Sequence, residues 1–171
     1  MQLLSSLAEL FRHMEWADAT VWRGVATSEK ARSDSTLKTR LHHIHLVQWA
    51  FLKAWTAQPY EPGAGATLDL PSLLRWGRAY HRDVQAFLGT VTESALDRPV
   101  VVPWAKAIGA SLGRDLSVPS LGETLLHITA HSTHHRGQVN ARLGELGVAP
   151  QPVDYIVWLW YGKPEPEWPS T

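Results

Sequence analysis

Leu3, Leu7, Leu10, Met14, Ala17, Val21 and Val25 recur at spacings of three and four. That is the stripe of an amphipathic helix, and it predicts one from about Gln2 to Thr27. A polar segment, Ser28 to Ser35, carries candidate N-caps. A second stripe, Leu37, Leu41, Ile44, Gln48, Phe51 and Trp55, then predicts a helix that ends before Pro59. Pro59, Pro62, Gly63 and Gly65 mark 59–67 as a surface loop. Asp69 and Pro71 start a third helix through Leu73, Leu74, Tyr80, Val84, Phe87 and Leu88, which stops near Gly89.

The stretch from Arg98 to Pro119 holds Val100-Val101-Val102 among prolines and glycines and reads as a long loop or a short hairpin. Ser120-Leu121-Gly122-Glu123 is a capping box, in which hydroxyl and carboxylate satisfy free backbone donors at a helix start. The fourth helix runs from there to Leu146, with Gly147 placed to end it and Pro150 and Pro152 preventing continuation. Val153 to Tyr161 suits a short last helix. The proline-rich tail, 162–171, is expected to be extended, wrapping the surface or fraying. Four long periodic segments without a sustained strand signal predict an all-α, four-helix bundle in a single domain, 1–171.

Helix geometry assigns the histidines of the fourth segment. With Ile128 as reference, Leu121, Leu125, Val139, Leu143 and Leu146 mark the core stripe. His135 then lies about 20° away, His131 about 60°, His127 about 100° and His134 about 120°. His131 and His135 are therefore expected to face inward and His134 outward. Two inward imidazoles at i, i+4 can share one metal ion, whereas burying them unpartnered would cost a few kcal/mol. In the second segment, Leu41-His42-His43-Ile44-His45, the wheel puts His43 and His45 on opposite flanks of Ile44 and His42 nearly on the back. Periodicity allows either His43 or His45 as a third ligand. Three neutral imidazoles suit zinc, nickel or iron and leave a position for water or substrate.

Composition narrows the chemistry. Of 171 residues, 44% are hydrophobic and 19% charged, which is globular and not disordered. Sixteen basic and sixteen acidic residues give a net charge of zero with no basic stripe, so a nucleic-acid partner is not expected. The absence of cysteine excludes disulfides, thiolate ligands and a cysteine nucleophile. No apolar run approaches the roughly 20 residues of a membrane span, and the first residues lack a basic leader, so no membrane association and a cytoplasmic location are expected. The nine tryptophans are expected to fill core. No nucleophile elbow or phosphate-binding loop occurs, and Glu123 to His127 has the wrong spacing for a di-iron pair.

Leu126-His127-Ile128-Thr129-Ala130-His131-Ser132-Thr133-His134-His135-Arg136-Gly137-Gln138 resembles the fourth-helix motif of the DinB-like superfamily, the damage-inducible and YfiT-like metal-binding proteins. His43-Ile44 with Val47, Gln48, Phe51 and Leu52 resembles that family's second-helix motif, whose histidine is a ligand, and this chooses His43 over His45. Trp16-Ala17-Asp18 resembles an aromatic segment of the first helix, with Asp18 where asparagine is common. The resemblance covers nearly the whole chain, to Asp154-Tyr155 and beyond. It implies an up-down-down-up connection, a divalent ion on His43, His131 and His135, and a homodimer, for which Leu46 and Trp49 offer a second apolar face on the second helix. It also implies metal-dependent chemistry on a small-molecule substrate, either S-transfer with a low-molecular-weight thiol or hydrolysis. A non-catalytic metal-binding stress protein is the third reading.

Asp18 is a candidate fourth ligand or a hydrogen-bond partner of a ligand imidazole. His127 is given no role. Arg136 is expected in an ion pair or at the surface, and Gly137 hints at close helix packing.

Overall fold

The computed structural model describes residues 2–170, and every regular element among them is helical. The long helices are α1 (Leu3–Ala26), α3 (Ser35–Trp55), α4 (Leu70–Leu88) and α6 (Leu121–Glu145), joined by α2 (Glu29–Ser33), a 3₁₀ turn (Glu93–Asp97), α5 (Ala105–Leu112) and α7 (Tyr155–Trp160).

Side-chain caps set the starts of four helices. The Ser28 hydroxyl accepts from Ala31 N at 3.4 Å and starts α2. Six residues later the Asp34 carboxylate accepts from Leu37 N at 2.7 Å and starts α3, so the polar linker becomes a one-turn helix. Asp69 caps α4 through Ser72 N at 2.9 Å, and the Ser120/Glu123 capping box is present at α6.

The hairpin allowed for 98–119 does not form. A single antiparallel bridge joins Pro99 to Ser120, held by Val100 N to Pro119 O and Leu121 N to Arg98 O, both 2.8 Å. Pro99 and Pro103 have no N–H to extend a ladder. The residues between form α5 instead, which ends at Gly113 with φ 65°.

α1 packs on α4 and α6, and α3 packs on the same two, so α1 and α3 face each other across a diagonal. Phe11–Trp55, Asp18–Gln48 and Trp22–His45 pair in opposite chain sense across α1 and α3, as do Trp55–Thr124 and Gln48–Ser132 across α3 and α6. Trp49–Tyr80 and Trp55–Phe87 run in the same sense across α3 and α4. Hence α1 and α6 run one way and α3 and α4 the other.

Besides a small cluster of Trp16, Ala17 and Trp158, the apolar core falls into two blocks. One gathers Leu7, Phe11, Met14, Trp55, Val84 and Ile128; the other gathers Val21, Trp22, Leu41, Ile44, Leu73 and Val139. Between them lies a buried polar layer drawn from all four long helices: Asp18, His45, Gln48, His81, Ser132 and Arg136. Of the nine tryptophans, Trp16, Trp22, Trp55 and Trp158 are buried in the core as composition suggests, whereas Trp160 is exposed; indole N–H groups are met at Trp22 by His45 Nε2 (3.0 Å), Trp55 by Thr124 Oγ1 (2.9 Å), Trp49 by Trp76 O (3.1 Å) and Trp158 by Pro164 O (3.1 Å). The tail wraps the surface, with Trp168 half-buried beside His81 and Glu167 ion-paired to Arg23.

Trp49 does not belong to a free apolar face: α4 covers it through Trp76 and Tyr80. Gly137 is likewise not a packing glycine, because a Cβ there would meet nothing within 4 Å; nothing in the structure explains it.

Candidate metal centre

α6 presents its core face through Leu121, Leu125, Ile128, Ser132, Val139 and Leu143, all buried. The centre of that face lies between Ile128 and Ser132, a few tens of degrees past the reference taken from sequence. The offset carries Arg136 into the core and leaves His131 and His135 half-buried at the rim that α6 shares with α3. His43, one position before the core residue Ile44, comes to the same rim from α3.

The three rings converge. Their centroids are 4.3 Å apart for His131 and His135, 4.4 Å for His43 and His135, and 5.2 Å for His43 and His131. One nitrogen from each can be chosen so that all three lie within 4.8 Å of one another, and this is the one cluster of its kind among the described residues. Burial, reinforced by the neighbouring histidines, pushes His131 down to about 4, and burial also lowers His43. At neutral pH both are free bases with lone pairs to give. His131 Nδ1 is buried without a hydrogen-bond partner, while His135 Nδ1 meets Gln138 Oε1 at 2.9 Å. Three imidazoles, one with an orphaned nitrogen and one braced from behind, form a donor set that fits a divalent ion.

The other candidates are engaged elsewhere. His45 is fully buried in the polar layer, its Nδ1 2.8 Å from Gln48 Oε1 and its Nε2 accepting from Trp22, and burial pushes it down to about 4. Asp18 is neither a fourth ligand nor a partner of a ligand imidazole. Its Oδ1 takes the Arg136 guanidinium at 2.8 Å, and its Oδ2 takes His81 Nε2 at 2.9 Å and Gln48 Nε2 at 2.8 Å. Burial works to raise its pKa, but Arg136 and His81 outweigh it and hold the carboxyl well below its usual range. Arg136 is therefore the ion-pair residue expected, though in the core and not at the surface.

His127 stands next along the rim, 5.6 Å from His131 and 5.3 Å from Phe51 between ring centroids, with its pKa lowered by burial. Beyond it, Phe51, Trp104 and Tyr60 stack edge to tilted at 5.1 and 4.9 Å, an aromatic wall supplied by α3 and the two long loops. Sequence reasoning missed Gln138 and this wall. The first had a signal, since Gln138 is three residues from His135 on a helix; the loop aromatics had none.

An all-helical bundle with three histidines converging on the rim between two of its helices defines the class of protein. Within that class the chain belongs to the DinB family, whose family model matches residues 2–167. A 46-residue stretch is 39% identical to Protein DinB of Bacillus subtilis (strain 168), covering 27% of this chain and 27% of that protein. The chain thus matches about a quarter of the length of this curated relative. No described helix is long and apolar enough to cross a membrane.

Proposed function

We propose that His43, His131 and His135 hold one divalent metal ion, zinc or nickel by ligand chemistry with iron as the third choice, and that the protein is a metal-dependent S-transferase using a low-molecular-weight thiol. The observation that carries the metal reading is the convergence of three histidine ring nitrogens within 4.8 Å of one another. DinB family membership supports it. An ion bound there would lower the pKa of a coordinated thiol or water and supply a nucleophile at neutral pH.

The chain contributes the rest. Its three imidazoles leave an ion that prefers four ligands one short, Asp18 is occupied in the core, and no cysteine exists to close the site. The thiol must then come from the small molecule. The Phe51, Trp104 and Tyr60 wall beside His127 offers apolar surface for an electrophile and excludes water on that side.

The test is a screen of the zinc and nickel forms with glutathione, mycothiol and bacillithiol, each with an electrophile, alongside simple esters. Thioether formation supports the S-transferase. Ester turnover without thiol replaces it with a hydrolase, and no thiol binding with no turnover replaces it with a non-catalytic metal-binding protein. We also propose a homodimer, supported by exposed apolar side chains at Val101, Leu112, Val118 and Leu126; light scattering at twice the chain mass of 19.1 kDa is the expected result.

A further inference from the structure

Beside the triad, on the solvent side of α6, Gln138 bridges two histidines: its Oε1 lies 2.9 Å from His135 Nδ1 and its Nε2 lies 3.1 Å from His134 Nε2. Spacings of three residues from His135 and four from His134 put Gln138 within reach of both rings, one turn further along the helix. We infer that Gln138, oriented by His134, is a positioning residue that fixes the tautomer of His135 so that its Nε2 is left free for the metal ion. This role rests on the metal reading above.

The argument is one of donors and acceptors. A primary amide has one accepting and one donating end. With its oxygen on His135, that ring must donate from Nδ1 and keep its lone pair on Nε2. The amide N–H then needs an acceptor, and His134 Nε2 supplies it. The flipped amide would place an N–H against His135 Nδ1, which would have to accept, so the ring proton would sit on Nε2 and neither nitrogen could bind an ion. His134 decides between the two only while it accepts. Exposed His134 thus acts on the centre through Gln138, without touching an ion itself. The backbone carbonyl of Gln138 also accepts from Arg40 Nη1 at 2.6 Å, which ties this turn of α6 to α3, the helix that carries His43.

Partners of this kind behind a ligand histidine are worth roughly 10–100-fold in metal affinity. Zinc affinity by chelator competition should therefore fall by about that factor in Gln138→Leu, with the melting temperature of the metal-free chain unchanged. Gln138→Glu, whose carboxylate still accepts from His135 Nδ1, should bind within a few-fold of the natural chain, as should His134→Ala, where the amide can still adopt the productive orientation. A second readout needs no metal: ¹⁵N-resolved imidazole spectra of the metal-free chain should show His135 protonated at Nδ1, and in Gln138→Leu that preference should be lost.

His135 protonated at Nε2 in the natural chain, or a Gln138→Leu chain that binds zinc as tightly as the natural one, would overturn the role while leaving the metal reading intact. A natural chain that takes up no zinc or nickel removes the metal reading itself and this role with it.

Discussion

Gly77 shows at the scale of one residue how closely the polar layer is fitted. A Cβ added there would stand 2.4 Å from His45 Nε2 and 2.5 Å from His45 Cε1, and that ring is held at both nitrogens, by Trp22 Nε1 at 3.0 Å and Gln48 Oε1 at 2.8 Å, so it cannot retreat without losing those bonds. Glycine inside a helix ordinarily costs about 1 kcal/mol relative to alanine. Here the substitution should run the other way: Gly77→Ala should destabilise by roughly 1–3 kcal/mol in urea unfolding, the usual penalty of overpacking. A gain in stability would mean that His45 has room to move. The pattern along its own helix gives Gly77 no reason to be glycine, because that reason, His45, lies on another helix. Arg136 was legible only in part for the same reason. Its charge pointed outward, and its burial depends on Asp18, 118 positions away in the chain. A single charge is costly in a core, whereas a hydrogen-bonded pair is tolerated.

At the scale of the element, the four long helices were legible because their stripes and caps are local chemistry. Asp34, Asp69 and Ser120 all accept from the backbone N–H three residues on. What local chemistry could not give was α5, since its place depends on two prolines blocking a strand ladder and on the single bridge that closes the excursion. The caps carry their own test. Asp34 does two things: it caps α3 and takes Arg142 of α6 at 2.7 Å. Asp34→Ala should cost about 1 kcal/mol, mostly the lost cap. Asp34→Asn keeps a capping oxygen and should cost much less, because an ion pair this near the surface contributes little. Equal losses in chemical denaturation would place the stabilisation in the ion pair instead.

At the scale of the whole molecule, the bundle buries imidazoles at its middle level and pays for them in pH sensitivity. His45 and His131 are held at about 4, against about 6.5 in an unfolded chain. Between those values the unfolded chain binds protons that the folded chain refuses, so stability rises with pH across the window. The metal-free protein should lose stability as pH falls from about 6.5 toward about 4. In His45→Phe, whatever its absolute stability, the slope should be shallower; an unchanged slope would show that His45 does not carry this linkage.

The triad itself was half legible. The i, i+4 pair on α6 came from periodicity, but the choice of His43 over His45 did not, because both flank Ile44 at similar angles. The structure separates them by what surrounds each: His45 is sealed under Gly77 and Trp22, and His43 stands at the open rim with His131 and His135. The most direct measurement of the central claim is metal content, taken on tag-free protein stripped and then reconstituted with zinc or nickel. One ion per 19.1 kDa chain is expected, lost in His43→Ala and His135→Ala and retained in His134→Ala and His45→Gln. A folded natural chain that takes up neither metal, or one that loses it equally with His134 and His135, would contradict the account.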